Sequence, residues 1–237
     1  MHTSIDQLSS ARGLRLQPAR FAAPAMDLDE CLERASLRRI EAKEFLFADG
    51  DHVSHLYRIE TGTVVMFKVL ADGRRQVMGF AFPGDLIGLG VEGEHVMNAQ
   101  AVKATRLRSL PLTMLRQATA NNPALCLKLY EALSRELAAT RDLMLTTGQR
   151  SAMERLTGFL LALSRRNARN GLDPTCFDLP MTRTDIGDFL GLTIETVSRT
   201  FTKLKKMGLI ELPRCNEVKL LDVDQIERMA NGEGQTA

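Results

Sequence analysis

The chain has 237 residues, 44% hydrophobic and 25% charged, ordinary values for a globular protein of one large or two average domains. Its 31 basic and 29 acidic residues leave a net charge of only +2, which by itself implies no nucleic-acid partner. No early apolar run has the form of a signal peptide, and FLLAL at Phe159 to Leu163 falls far short of a membrane span, so a cytoplasmic protein with no membrane partner is expected. Residues 1–27 are mixed polar, Ala- and Pro-containing and without periodicity, and read as a flexible arm. Asp27 to Leu37 suits a short helix with Leu28, Leu32 and Ala35 on one side. From Ile40 to Pro111 the pattern becomes that of strands. Phe45 and Phe47 alternate, as do Tyr57 and Ile59, then Val65, Phe67 and Val69, then Phe80 and Phe82. Turns are expected at Asp49-Gly50, Thr61-Gly62, Asp72-Gly73 and Pro83-Gly84. Many short strands with such punctuation predict a sandwich or jelly-roll.

Asn121 to Thr147 reads as one long helix opened by Pro123. One apolar stripe runs through Cys126, Leu129, Leu133, Leu137, Thr140, Met144 and Thr147, and a second through Leu125, Ala132, Ala139 and Leu143. A helix apolar on two sides must cover its own domain and something else. A second copy of the chain is the simplest partner, and burial of both faces within one monomer is the other possibility. Ser151 to Arg166 gives another helix with Met153, Leu156, Phe159, Leu160 and Leu163 inward, and Asn167 to Pro174 reads as a loop.

Thr182 to Met207 carries the most chemistry. Ile186, Phe189 and Leu190 make one side of a short helix apolar, and Thr182 with Asp185 forms the Asp version of a capping box. Gly187 stands where two helices must approach closely, Gly191 supplies a sharp bend, and Leu192 fills the angle. Thr193 caps a second helix whose buried side is Ile194, Val197, Phe201 and Leu204. Its solvent side carries Glu195, Ser198, Arg199, Thr202 and Lys203, the types that reach base edges and phosphates. The bland alternative is an exposed helix supported by an i, i+4 Glu195–Arg199 pair. Gly208 ends this helix. Ile210 and Leu212, then Val218 and Leu220, alternate around Pro213 to Glu217 as a hairpin with Arg214 at its tip. Asp222 to Met229 suits a last short helix.

IETVSR, preceded by DIGDFLGLT, resembles the recognition element of the Crp–Fnr superfamily of bacterial transcription regulators, within it the Fnr and FixK branches. FPGDLIGL near Phe82 and the long segment before Arg150 carry the resemblance back to about Leu37. It implies an α+β chain: a β-roll of cyclic-nucleotide-binding type over 28–120, a dimerisation helix over 121–147, a winged helix-turn-helix over 148–230 and a tail over 231–237. The dimer contacts fall to Leu125, Cys126, Leu129, Leu133, Leu137, Thr140 and Met144. In the family, E-x-x-S-R reads a TTGAT-like half-site, which assigns base reading to Glu195, Ser198 and Arg199. Arg forks onto guanine and Glu accepts from cytosine, so the chemistry agrees. Thr182, Arg183, Thr193, Thr196, Thr202, Lys203 and Arg214 are then the candidates for the DNA backbone. Double-stranded DNA as a palindrome, a second copy of the chain and RNA polymerase are the implied partners, the last through exposed loops such as Asp72 to Arg75. An activator in low-oxygen, nitrogen-oxide or nitrogen-fixation control is implied.

The same resemblance frames what is missing. Cyclic-AMP receptors hold the cyclic phosphate with a Gly-Glu segment and an arginine pair, whereas here Gly84-Asp85 is a loose match and Met97 to Ala101 has no arginine. The Fnr iron–sulfur cluster needs about four thiolates. This chain has Cys31 alone near the N-terminus, and Arg108 stands at the place of the β-domain ligand. No cofactor and no metal are therefore expected, which points to the FixK-like branch. The histidines His2, His52, His55 and His95 are read as surface or loop residues rather than haem ligands. The four cysteines form no C-x-x-C pair and read as free thiols. Cys215, beside Arg214 on the wing, is a candidate redox site. The rival reading keeps the fold but lets the β-roll bind a small molecule or haem that gates DNA affinity. An enzyme is not expected, since no nucleophile–base pair, phosphate-cradling loop or metal spacing is present.

Overall fold

A computed structural model describes residues 28–89, 93–120, 122–214 and 216–233, without the side chains of 135, 136 and 139–149. The expected arm at 1–27, the last four residues of the tail, and Cys215 lie outside the described residues. A short helix α1 (Leu28–Glu33) leads into strands β1 (Ser36–Ile40), β2 (Phe45–Phe47), β3 (His55–Val69), β4 (Arg75–Ala81), β5 (Leu86–Ile87) and β6 (Asn98–Pro111). The helix ends earlier than the sequence pattern suggested: Leu37 is an exposed position of β1.

The antiparallel pair β3 and β6 is the spine of the roll, and each strand changes partner along its length. β6 takes β1 at its far end (Ile40 opposite Thr105) and β2 at its near end (Phe45 opposite Gln100). β3 takes β5 first (Tyr57 opposite Ile87) and then β4 (Val65 opposite Phe80). Alternation along β6 buries Ala99, Ala101, Thr105 and Leu107 against Phe47, Ile59 and Val64.

Thr61-Gly62 is not the turn its composition suggested. β3 runs straight through it, and the register with β6 shifts on both sides. Gly62 sits at φ +101°, and a Cβ there would lie 2.3 Å from Thr105 Oγ1. The glycine marks a bulge where two backbones pinch together, which is the other meaning a strand glycine carries. Thr105 Oγ1 accepts the Thr63 N–H at 3.1 Å there.

Helix α2 (Leu112–Ala120), not anticipated from the sequence, follows β6 and precedes α3 (Pro123–Gln149). Asn122 caps α3 by accepting the Leu125 N–H at 3.1 Å. Its 27 residues extend about 40 Å. Leu125 is buried with Leu28, Cys31, Leu32, Leu56, Leu110 and Leu115 in a core that closes one end of the roll, and Leu129 leans on it. Leu125 therefore serves its own domain rather than a partner, whereas Leu129 is half-buried against that core. Cys126, Tyr130, Leu133 and Leu137 are exposed in the single chain. Their spacing of 4, 3 and 4 continues to Thr140 and Met144, whose side chains lie outside the described residues. The fully exposed stripe thus runs through Tyr130, with the half-buried Leu129 beside it.

The C-terminal half comprises α4 (Ala152–Arg169), β7 (Cys176–Asp178), α5 (Arg183–Leu190), α6 (Ile194–Lys206), β8 (Ile210–Glu211), β9 (Glu217–Leu220) and α7 (Val223–Ala230). Leu156, Leu160, Ile186, Val197, Leu204, Val218 and Ile226 are fully enclosed in its core. β8 and β9 form the expected hairpin, and β7 adds a third strand to it in the order β7-β9-β8. No described helix is long and apolar enough to cross a membrane.

Candidate nucleic-acid interface

The geometry of the two-helix unit follows from a few residues. At the start of α5, Asp185 Oδ2 accepts the Thr182 backbone N–H at 2.9 Å while Thr182 Oγ1 accepts the Asp185 N–H at 3.1 Å. Both directions of the capping box are made. Gly191 ends the helix at φ +66°, and the Arg155 guanidinium donates to the freed Leu190 carbonyl at 2.9 Å. A Cβ at Gly187 would stand 2.7 Å from the Leu192 carbonyl oxygen. Only glycine allows the turn to close over the first helix at this distance. Thr193 caps α6 by accepting the Thr196 N–H at 3.2 Å.

Helix α6 is strongly two-faced. Val197, Phe201 and Leu204 are buried, whereas Glu195, Ser198, Arg199, Thr202 and Lys203 are exposed together on the opposite side. Ile194, expected inward, is 45% exposed, because the first residue of the helix projects beyond the core. The Glu195 carboxyl is held below its ordinary value by its own backbone N–H, then by the Thr193 hydroxyl and the nearby Arg199 charge. At neutral pH it is therefore an ionised, acceptor-only group at a helix N-terminus. Arg199 Nη2 approaches Thr196 Oγ1 at 3.4 Å, and the guanidinium is otherwise presented to solvent. Acceptor, hydroxyl and fork thus lie within about one helical turn of each other, the reach of a few base pairs.

The expected backbone contacts have mixed fates. Thr202 is exposed but its hydroxyl donates to the Ser198 carbonyl at 2.9 Å, and Thr182 and Thr193 are exposed while acting as caps. Thr196 is half-buried beside Thr193, with 3.1 Å between their hydroxyls. Arg183 departs most from expectation. Its guanidinium lies 3.4 Å above the Phe201 ring, half-buried, where burial lowers its pKa. It clamps α5 onto α6 by a cation–π contact, which the sequence could not reveal. Lys203, Lys205 and Lys206 are exposed along the end of α6, and Arg214 is exposed at the wing with Glu217 at 3.8 Å.

A helix packed through a glycine onto a capped first helix, with a polar and basic face turned outward beside a three-stranded wing, is a winged helix-turn-helix. Residues 154–229 match the Crp-like helix-turn-helix domain and residues 37–122 the cyclic nucleotide-binding domain. The chain is 38% identical over 209 residues to the nitrogen fixation regulation protein FixK of Bradyrhizobium diazoefficiens, covering 84% of this chain and 87% of that protein. The chain belongs to the Crp–Fnr family of transcription regulators. Within the family it is similar to the FixK and Fnr branches. It is 33% identical to the fumarate and nitrate reduction regulatory protein of Escherichia coli, over 88% of this chain and 82% of that one. The structure of FixK2 from Bradyrhizobium japonicum superposes with a TM-score of 0.77 at 32% identity, over 82% of this chain and 96% of that chain. The protein is a DNA-binding transcription regulator.

The roll of this family member does not fit a cyclic nucleotide. Six arginines of the roll reach carboxylates: Arg39 on Glu41, Arg58 on Asp29, Arg106 and Arg108 on Glu60, Arg74 on Asp72, and Arg75 on Asp185. At the loose match to the nucleotide motif, Asp85 accepts the Phe82 N–H at 2.9 Å and Arg166 at 2.9 Å, and it would repel a phosphate.

An iron–sulfur cluster fits no better. Arg108 donates to Glu60 Oε1 at 2.5 Å and to the Glu33 and Ala35 carbonyls at 3.1 and 3.3 Å, fastening the end of α1. The fastening also holds the Glu60 carboxyl below its ordinary value. Among the described histidines only His95 is buried, stacked on Phe47 with 3.5 Å between ring centroids. Burial lowers its pKa, so the ring is neutral packing material.

Proposed function

We propose that the chain works as a homodimer that activates transcription from TTGAT-like palindromes in low-oxygen or nitrogen-oxide circuits, with no bound cofactor. The observation that carries this reading is the outward face of α6, on which an ionised Glu195, Ser198 and Arg199 are exposed side by side. Arg199 would fork onto guanine O6 and N7, and Glu195 would accept from cytosine N4. A carboxylate facing DNA is repelled by phosphate, so its place on this face favours sequence reading over plain attraction.

The Cys126, Tyr130, Leu133 and Leu137 stripe supports pairing of two α3 helices, because apolar side chains at 4-3 spacing are what parallel helices interlock. A two-fold pair then places two α6 helices in successive major grooves, and the operator inherits the symmetry. Relatives named as FixK, as a transcriptional activatory protein and as the fumarate and nitrate reduction regulatory protein support activation and the circuit. RNA polymerase would be met through the β3–β4 tip, where Asp72 and Arg74 are exposed; Arg75 faces inward and is not part of that surface.

Selection of bound duplex from a random pool with anaerobically purified full-length protein tests the whole reading. Enrichment of a TTGAT-like palindrome without any additive is the expected result. A pool without symmetry, or with another core sequence, overturns it. One observation favours a gated variant: a cleft of about 440 Å³ lies between the two halves, lined by Phe82, Lys103, Leu163, Arg166 and Phe177. A strict requirement for an added small molecule in the same selection would favour that variant.

A further inference from the structure

The two halves are joined covalently by a single extended joint. Helix α3 ends at Arg150 (φ −98°, ψ 142°) and α4 begins from Ser151 (φ −63°, ψ 161°). Two extended residues between helices leave the angle of the DNA-binding half to be set by something else.

Two guanidinium groups cross between the halves, beside an exposed Lys103–Asp178 pair at 3.6 Å. Arg75, the first residue of β4, lies 4.3 Å over the Phe67 ring and donates from Nη1 to Asp185 Oδ1 at 2.6 Å and Asp188 Oδ2 at 3.2 Å. Gln76 donates to the Asp188 carbonyl at 2.9 Å, satisfying one of the acceptors that the end of α5 leaves open. At the other edge, Arg166 of α4 donates to Asp85 Oδ1 at 2.9 Å and the Pro83 carbonyl at 2.8 Å, 4.9 Å over the Phe82 ring. Between them Phe80 of β4 meets Phe189 and Phe159 at 5.5 and 6.3 Å. Arg75 and Asp185 expose only 26% and 13% of their side chains, so water and salt screen the pair weakly.

Each half also has structure of its own beside these contacts. β4 is paired along β3, and α5 has its cap, its glycine turn and its own core. What the contacts fix is the angle between the halves, and they do so with the reading face of α6 exposed. We propose that Arg75, seconded by Arg166, is a positioning residue for operator binding. The β4–α5 latch sets the direction in which α6 leaves the roll. In a two-fold pair it therefore sets the separation of the two reading helices. This inference rests on the palindrome reading above. Two half-sites one helical turn apart require that separation to be about 34 Å, and an unlatched pair would tolerate other values.

The test is spacer discrimination by full-length protein. Dissociation constants are measured for the selected palindrome, for the same arms with one base pair added between them, and for a single half-site against a scrambled one. The wild type should strongly prefer its own spacer. Arg75→Gln should shrink that preference by roughly tenfold, the scale of one hydrogen bond to a charged group, with half-site preference unchanged. Asp188→Asn and Arg166→Gln should act in the same direction. Arg75→Gln with Asp188→Asn should go little further than either alone, and Arg75→Lys should restore part of the preference.

A folded Arg75→Gln protein with undiminished spacer preference overturns the inference. So does one that loses half-site recognition in parallel, because Arg75 would then be sustaining the helix-turn-helix itself. If Arg75→Gln does not fold, Asp188→Asn and Arg166→Gln decide by the same ratio. A wild type indifferent to spacing sinks the two-fold reading and this inference with it.

Discussion

Three side chains on α6 differ in what their removal should do. Arg199→Ala should cost about 1–3 kcal/mol of operator affinity and relax selectivity at one base pair, whereas Lys203→Ala should weaken all duplexes alike and flatten the salt dependence. Anisotropy titrations against single-base operator variants at two salt concentrations separate the two, and equal losses on every variant from both substitutions would remove the direct-readout assignment. Gly187→Ala should destabilise the DNA-binding half by about 1–3 kcal/mol, because the new methyl meets a carbonyl oxygen that the turn cannot move away. A thermal melt unchanged from the wild type would show that the turn yields. At this scale the sequence was informative where chemistry is local. The Thr182–Asp185 cap, the bend at Gly191 and the exposed Glu195, Ser198 and Arg199 follow from spacing alone. Arg183 was not legible as a clamp, because the ring beneath it belongs to Phe201 on the next helix.

Among the elements, α5 carries a pH response. Burial pushes the Asp185 carboxyl upward, but the hydrogen bonds from Arg75 and Thr182 outweigh it and leave the value below normal. A carboxyl depressed in the folded chain stabilises it fully above the ordinary value of about 3.9, and that contribution fades as pH falls through the depressed value. Urea melts should therefore show no pH dependence from this group between pH 5 and 8, where its contribution is complete, and a loss of stability below about pH 4, smaller in Arg75→Gln than in the wild type. An equal acid response in both proteins would exclude the Arg75–Asp185 pair as its source. Helix α3 makes a separate prediction. Leu137→Glu, at an exposed position of the free stripe, should shift sedimentation toward monomer and abolish palindrome binding while leaving the roll folded. The stripe was half legible. Periodicity found two apolar faces, but assigning them needed the core that α1, β6 and α2 build under Leu125 and Leu129. Because α2 has a single buried residue, Leu115, its sequence carries little periodic signal.

At the scale of the whole molecule, the halves were legible separately and their docking was not. Strand alternation pointed to a sandwich or jelly-roll and the family resemblance to the specific roll, while the glycine-centred turn and the hairpin after it pointed to the winged helix-turn-helix. Arg75 and Asp185 stand 110 positions apart, however, and neither belongs to a motif that names the other. Arg75 looked instead like part of an exposed tip. The third wing strand was missed for a related reason: Cys176–Asp178 is only three residues long and gains its identity by pairing with β9.

That short strand has a consequence for how binding specificity could change. β7 precedes the two DNA-facing helices, β8 follows them, and both flank β9, so the segment between enters and leaves the wing about 10 Å apart. Residues 179–209 therefore form a cassette clipped shut at its base. Exchanging that cassette with a relative's should transplant half-site preference, and should keep the spacer preference where the incoming segment also carries carboxylates at 185 and 188 for Arg75.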